Sequence, residues 1–327
     1  MRAKFFYYCK ATLQFLYPFF LCRLELNSII KRASNRPDFE YILKRVEYYN
    51  KLDNKALNKS IIVEKSIKEN SIDTTEISIR DFRWKSKKWF SVYYCDTLEY
   101  IRYFPLHLKF NYFFGDIKTT PSIPTIVKAR PLHEENMCSV ILKLNKYRHF
   151  NFIHDKLPFS KKEDKLIFYS ALTTLPYRKK FMQMYFNHPM CICRCFKKSD
   201  KVPSEWNAPK ISIKDHLKYK FVLALEGNDV ATCLKWVMSS NSIAVMPKPT
   251  CESWFMEGTL IPNYHYIEIK RDFTDLIDKL NYYIFNISEA EQIVKNANEH
   301  VKLFLDKERE KMISLIVLKK YFENNTF

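Results

Sequence analysis

The sequence predicts an α/β protein, and three features of its 327 residues carry that prediction. Residues 220–246 read as strand, glycine turn, helix and strand. Short apolar runs at 110–114, 139–144 and 165–170 end in polar residues, as buried strands do. Past residue 270 the apolar spacing changes to three and four, the period of packed helices.

Taken in order, the chain opens on an apolar, aromatic stretch through Cys22, interrupted by Lys10, Gln14 and Pro18. Its longest uncharged run, Ala11 to Cys22, is too short to cross a bilayer. No small-residue cleavage site follows, so a secretory leader is not expected. Two readings stay open: a buried first element, or an interfacial contact with a membrane. Residues 37–52 predict a helix with Phe39, Ile42, Leu43, Val46 and Tyr49 or Leu52 on one stripe. Residues 53–80 are polar and mixed. Trp84, Trp89, Phe90, Val92 and Tyr94 then alternate as in a strand. Phe110 to Phe114 predicts a buried strand ended by Gly115-Asp116. Residues 121–131 read as a proline-punctuated loop carrying Lys128 and Arg130. The strand at 139–144 leads into Asn145-Lys-Tyr-Arg148-His149, and the strand at 165–170 into a loop and Arg178.

The segment from 216 to 270 is the most informative. Lys220 to Glu226 is a nearly unbroken apolar run, as in a strand covered on both faces. Gly227 turns the chain, and Asn228 or Asp229 can cap a helix. That helix is expected through about Ser240, with Val230, Leu234, Val237 and Met238 on one face. The next strand is at 242–246. Such a βαβ unit crosses over right-handed and sets a helix N-terminus, a ready anion site, at the strand's carboxyl edge. Neither a dinucleotide fingerprint nor a P-loop is present. Beyond it, Thr274-Asp275 can start a helix reaching Phe285. Ser288 to Glu291 forms a capping box for a second, with Ile293 or Val294, Ala297, Val301 and Phe304 or Leu305 inside. A final amphipathic helix is expected over 306–322.

Composition narrows the partners. Only three glycines occur, against roughly 23 at average usage. Gly115, Gly227 and Gly258 are therefore expected where φ is positive or another group comes close. The net charge of +18 attracts anions: nucleic acid, an anionic membrane surface or phosphorylated small molecules. The cations are dispersed, apart from Lys85, Lys87 and Lys88 and from Lys197, Lys198 and Lys201. No nucleic-acid-binding pattern accompanies them, so nucleic acid is not the expected partner. Nine cysteines do not make a disulfide framework and read as reduced thiols of a cytoplasmic protein. Cys191, Cys193 and Cys195, with His188 upstream, would share one strand face. Structural zinc sites instead pair C-x2-C with a second couple, so no metal is expected.

The block Tyr219-Lys-Phe-Val-Leu-Ala-Leu-Glu-Gly-Asn-Asp-Val-Ala-Thr-Cys-Leu-Lys-Trp236 resembles glycosyltransferase family 90, as do Met238 to Met246, Glu252-Ser-Trp254 and Pro262 to Lys270. That family includes protein O-glucosyltransferases, capsule xylosyltransferases and bacterial lipopolysaccharide glycosyltransferases, and the last branch is the most similar. Its upstream signature matches Gly115-Asp116, Pro124 to Pro131 and Asn145 to Phe150. The resemblance covers roughly residues 105–305. It implies a GT-B fold of two Rossmann-like domains: 1–163 on the acceptor side with an irregular helical N-terminal region, and 164–327 on the donor side with the C-terminal helices. It implies a UDP-sugar donor, no cofactor, no obligatory metal, and inversion at the anomeric carbon.

At the position matching Asp116 the family carries its general base, and a carboxylate after a strand and a glycine suits that task. Arg178, Lys220 and Lys235, with the backbone at Gly227, Asn228, Asp229 and Val230, are candidates for the leaving diphosphate. Glu252 is a candidate for the ribose hydroxyls. Lys128, Arg130, Arg148 and His149 are candidates for the acceptor side or the cleft. Each has a plainer competitor: a turn cap for Asp116, a brace for Glu226 and Asp229, a solvated face for Lys235, a surface acid for Glu252, and structural roles for His149 and His265. Glu134, Glu135 and Asp155 are the next carboxylates to consider. Tyr169-Ser170 stands where the animal branch has an Arg-Gly pair, and Cys233 where it has arginine. The expected function is transfer of glucose or xylose from a UDP-sugar to a hydroxyl of a lipopolysaccharide core or related surface glycan, the acceptor being a glycan or lipid-linked, by a cytoplasmic enzyme peripheral to the inner membrane. The competing reading is a catalytically degenerate basic protein that binds anionic membrane or nucleic acid. An enzyme needs Asp116 and the loop after Gly227 in one cleft, whereas a binder does not.

Overall fold

The computed structural model describes residues 2–52, 75–86, 90–132, 135–171, 175–197 and 202–324. Lys87, Lys88, Trp89, Glu134, Lys198, Lys201 and most of the polar stretch 53–80 lie outside the described residues.

The N-terminal stretch forms α1 (Arg2–Leu16) and α2 (Phe19–Ser34), broken at Pro18, whose backbone is extended. Helix α3 (Phe39–Tyr49) buries Ile42, Val46 and Tyr49 of its predicted stripe, together with Arg45, while Leu43 of that stripe is exposed. Strand β1 (Thr75–Ser78) runs into α4 (Ile79–Lys85), and α5 (Val92–Ile101) follows. The strand expected from Trp84 to Tyr94 is therefore two helices. Their starts are set by Ser78 and Ser91, whose hydroxyls accept from the amides of Asp81 and Tyr94. Two serine N-caps prevail over an alternating pattern.

Strands β2 (Lys109–Tyr112), β3 (Thr125–Val127), β4 (Ala129–Pro131) and β5 (Ser139–Ile141) follow, then the short α6 (Lys146–His149). The proline-rich segment 121–131 is thus mostly buried strand, not loop. Its prolines stand before β3 and at the end of β4, where a missing N–H is tolerated. The second half contains β6 (Glu163–Ser170), α7 (Pro176–Tyr185), β7 (Cys191–Cys195), α8 (Ile213–His216), β8 (Tyr219–Leu223), α9 (Leu234–Met238), β9 (Ile243–Met246), β10 (Cys251–Ser253) and β11 (Ile267–Glu268). Helices α10 (Leu276–Phe285), α11 (Ile287–Lys302) and α12 (Lys307–Glu323) close the chain.

Among the described residues the strands form two larger sheets. One has the order β1-β2-β3-β5 and is parallel except for β1. The other, β11-β9-β8-β6-β7, is parallel throughout. A two-stranded antiparallel pair, β4 with β10, links the two halves. The predicted βαβ pairing holds, with Phe221 beside Ile243. Its helix does not begin at Asn228 or Asp229. Those residues lie in an irregular loop, and α9 is one short turn opening at Leu234. Helix α11 likewise starts at Ile287, ahead of the expected capping box, with no side-chain cap.

No glycine has positive φ. Phe90, Asn145, Met256, Asn263 and Phe273 take that conformation instead. Gly258 answers to the other expectation, because a Cβ there would lie 2.6 Å from Leu132 Cδ2 and 2.7 Å from Glu252 Oε2. The three thiols of β7 are free, buried and on one face, as their spacing predicts. Among the described residues no group of three or more His, Cys, Asp or Glu is placed to hold a metal.

The last helix crosses back. Helix α12 packs on α2, α3 and α5. Its buried Glu310 accepts from Arg45 at 2.5 Å and from Lys143 and Trp254 Nε1 at 2.7 Å each. One carboxylate thus satisfies groups from α3, from the chain after β5 and from the chain after β10. Glu310→Leu leaves two buried cations unpaired and should lower the unfolding free energy by about 3–5 kcal/mol in urea titration. Gly258→Ala should lower it by about 1–3 kcal/mol, since the neighbouring Glu252 is itself locked in an ion pair. Wild-type stability in either variant would contradict this packing account.

Candidate active site

The carboxyl ends of β2 and β8 face one another across a cleft. After β2 the chain turns at Gly115 and presents Asp116. After β8 it runs irregularly through Gly227, Asn228 and Asp229. Lys128, between β3 and β4, joins the two: its Nζ lies 2.7 Å from Asp116 Oδ1 and 2.7 Å from Asp229 Oδ2. Asn228 Nδ2 also donates to Asp116 Oδ2 at 3.4 Å. The two features that an enzyme needs in one cleft are therefore together.

The three charged groups differ in environment. Lys128 and Asp229 are buried, whereas the Asp116 side chain is 36% exposed. Burial raises the Asp229 pKa to about 6, against the opposing charge of Lys128. Burial also works against the Asp116 carboxylate, but the hydrogen bond and charge of Lys128 outweigh it and hold its pKa below the ordinary aspartate value. Lys128 is desolvated too, yet its carboxylate neighbours, Asp229 foremost, hold its pKa above the usual lysine value. At neutral pH Asp116 is thus an ionised, partly exposed acceptor beside a fixed cation.

A cavity of about 720 Å³ opens beside this cluster. Three cations line it: Arg148, Arg178 and Lys210. Arg178 donates from Nε to the Glu226 carbonyl at 3.2 Å, from Nη1 to Ser170 Oγ at 2.9 Å, and from Nη2 to the Leu225 carbonyl at 2.8 Å. Among the described residues none of the three forms an ion pair with a carboxylate. An aromatic wall faces them. Tyr169 and His216 lie 5.7 Å apart edge to face, and His216 and Trp236 5.4 Å. Burial lowers the His216 pKa and keeps that ring neutral.

The predicted residues divide between this site and the scaffold. Asp116, Lys128, Arg148, Arg178, Gly227, Asn228 and Asp229 are brought together. A Cβ at Gly227 would meet only Arg178 Nη2, at 3.5 Å, so the backbone there is open to a ligand. Val230 is buried below the loop. His149 is buried, neither ring nitrogen has a hydrogen-bond partner, and desolvation followed by the charges of Lys235, Lys128 and Arg148 keeps it neutral. Four candidates belong to the scaffold instead. Lys220 stands at the amino end of β8, the edge away from the cleft, paired with Asp164 at 2.5 Å. Lys235 is fully buried against Glu257 and under the Phe255 ring, neither a solvated face nor a donor contact. Glu252 is buried, accepting from Arg130 Nε at 2.7 Å and from the Tyr48 hydroxyl, so it is no surface acid and is not offered to a ribose. Arg130 is equally enclosed and donates to the carbonyls of Tyr48, Tyr49 and Ser139. Glu226 is a brace, accepting from the Thr250 and Cys251 amides at 2.8 and 3.1 Å. Asp155 pairs with Lys162 at 2.7 Å and Asn241 N at 3.0 Å.

The aromatic wall escaped the sequence reading. Tyr169 sits on the same face of β6 as Ile167, a spacing that any strand shows, and His216 comes from a separate short helix. The departures at Ser170 and Cys233 both fall on the cavity. Arg178 lies against each, bonding Ser170 and placing its charge beside Cys233.

The Asp229 shift has a thermodynamic consequence. Its folded pKa of about 6 exceeds the ordinary aspartate value, so the folded state holds the proton more tightly. Stability from this group therefore increases as pH falls through about 6 and levels off near about 4. Measured against Asp229→Asn, wild type should gain roughly 1–3 kcal/mol over that range. A difference independent of pH would show that Asp229 is not held in this way.

The sequence profile of glycosyl transferase family 90 matches residues 143–325. O-glucosyltransferase LpsA of Dichelobacter nodosus is 39% identical over 232 residues, which is 71% of this chain and 72% of that protein. Protein O-glucosyltransferase 3 of Homo sapiens is 29% identical over 113 residues, 34% of this chain and 22% of the relative. The rat protein of the same name is 30% identical over 110 residues, 33% and 21% respectively. The profile spans the second sheet and the last helices, and the bacterial relative matches most of the chain: this protein belongs to glycosyl transferase family 90.

Proposed function

We propose that this glycosyltransferase inverts the anomeric centre of a UDP-sugar, with glucose as the first candidate and xylose as the second, and transfers it to a hydroxyl of a lipopolysaccharide core or related lipid-linked glycan. The carrying observation is the cation imbalance of the cavity. Elsewhere the deeply buried cations Arg45, Arg130, Lys143, Lys162 and Lys235 each have a carboxylate, while Arg102, nearer the surface, donates to the Gln14 carbonyl. Arg178, half-buried in the cavity wall, has none among the described residues, and the exposed Arg148 and Lys210 stand beside it, which suits a ligand bringing its own negative charge. A nucleotide diphosphate fits the cations, its base the aromatic wall, and the sugar the open space towards Asp116.

The chemistry follows from that placement. Asp116 takes the proton of the acceptor hydroxyl as its oxygen attacks the anomeric carbon. The bond to the diphosphate breaks on the opposite side, and the guanidinium groups stabilise the charge that develops there. This cationic set performs the task a metal performs in other transferases, so no metal or cofactor is required. In this reading the two sheets are the halves of a GT-B arrangement. Residues 1–163 face the acceptor and 164–327 the donor, with α12 returning to brace the first half. The protein works at the cytoplasmic face of a membrane. The name of the bacterial relative favours glucose.

Four outcomes are expected. Among UDP-sugars, UDP-glucose at a hundredfold its dissociation constant raises stability by about 2.7 kcal/mol in thermal unfolding. Arg148→Gln, an exposed change, weakens donor binding on the order of tenfold. Asp116→Asn lowers kcat by about 10²–10⁴-fold with donor affinity unchanged, because the base faces the acceptor. Turnover persists in excess chelator. Transfer by Asp116→Asn at the wild-type rate would place the base elsewhere, and activity restored only by a divalent cation would overturn the metal-free reading.

A further inference from the structure

Helix α1 is apolar on two opposite faces, and among the described residues only one of them is covered by protein. On the inner face Tyr7 donates to Asp96 Oδ1 at 2.7 Å and Ala11 is buried. Tyr8, also on this side, stacks on Phe90 and lines the cavity. On the outer face Phe5, Phe6, Leu13 and Leu16 are 67%, 68%, 69% and 68% exposed. At helical spacing these four and Cys9 fall within an arc of about 100°. Past the break, Phe20 and Leu24 are exposed as well, and Trp84 stands exposed against Phe15.

Charge identifies what covers this face. Between residues 2 and 24 the sequence has Arg2, Lys4, Lys10 and Arg23, and its first acidic residue is Glu25. No helix among the described residues is long and apolar enough to cross a membrane. An apolar helix face with cations, no acids and a neighbouring exposed tryptophan is the chemistry of a helix lying in the headgroup layer of an anionic bilayer. We propose that the outer face of α1 docks this protein on an anionic membrane. Because Tyr8 on the same helix lines the cavity, docking holds the transfer site beside the surface, within reach of an acceptor anchored in lipid. That last step rests on the proposed sugar transfer. The docking itself does not.

The test is sedimentation of the full chain, without substrate, with neutral phosphatidylcholine vesicles and with vesicles containing phosphatidylglycerol. Wild type should bind the anionic vesicles more tightly, and the preference should shrink as salt shortens the Debye length from about 30 to about 8 Å. Leu13→Asp and Leu16→Asp should each weaken binding on the order of tenfold or more, with the melting temperature and transfer to a detergent-free, water-soluble acceptor unchanged. Equal binding by the variants, or no preference for anionic vesicles, would overturn the proposal. So would a wild-type dimer that the variants convert to monomer without any vesicle binding, since the face would then belong to a second copy. A protein that docks but transfers no sugar would refute the transferase reading alone. One that transfers sugar but ignores vesicles would refute the docking alone.

Discussion

A single buried ammonium shared by two carboxylates holds the centre of this molecule. Lys128 comes from between two strands of the first half, Asp116 from the end of a neighbouring strand, and Asp229 from the loop beyond the second sheet. Placing a lysine so deep is unfavourable unless its charge is matched. The match here comes from both sides of the cleft, so satisfying Lys128 also sets the distance between them. The arrangement leaves an excess of one negative charge, and the half-exposed partner is Asp116. In the proposed mechanism the group that meets the acceptor is the one that remains wet.

The same accounting separates scaffold from site elsewhere. Glu310 gathers Arg45, Lys143 and Trp254, and Glu252 gathers Arg130 and Tyr48. These closed groups join the halves through α12 and the β4–β10 pair and leave nothing for a ligand. Arg178 is different. It is positioned by carbonyls and one hydroxyl, which orient the guanidinium without neutralising it. Lys235 and Arg178 are both cations near one loop. Lys235 is neutralised by Glu257, whereas no carboxylate among the described residues opposes Arg178, which is why the proposed phosphate site includes one and not the other.

Periodicity made the broad architecture legible. The strands at 110, 139, 165, 220 and 242 and the C-terminal helices were readable because apolar runs and stripes report local burial. Residues 84–94 were not, since two serine caps decided the outcome and alternation pointed the other way. Asp116, Arg178 and Gly227, which the structure brings together, could be singled out as candidates from their places after strands. Lys220, Lys235 and Glu252 could not be separated from them, because type and position resemble a site while the neutralising partners lie far away in sequence. Glu257 is 22 residues from Lys235, and Arg130 is 122 from Glu252. The aromatic wall was hidden for the same reason, its rings coming from three separate elements.

In the proposed complex a cavity whose cations face no carboxylate among the described residues holds a nucleotide diphosphate beside Asp116. A structure of the protein with UDP bound tests this placement most directly. Phosphate oxygens are expected within hydrogen-bond distance of Arg178 and Arg148, the uracil against Tyr169, His216 and Trp236, and Asp116 still paired with Lys128 and facing open space. UDP bound away from these arginines, or a diphosphate displacing Asp116 from Lys128, would contradict it.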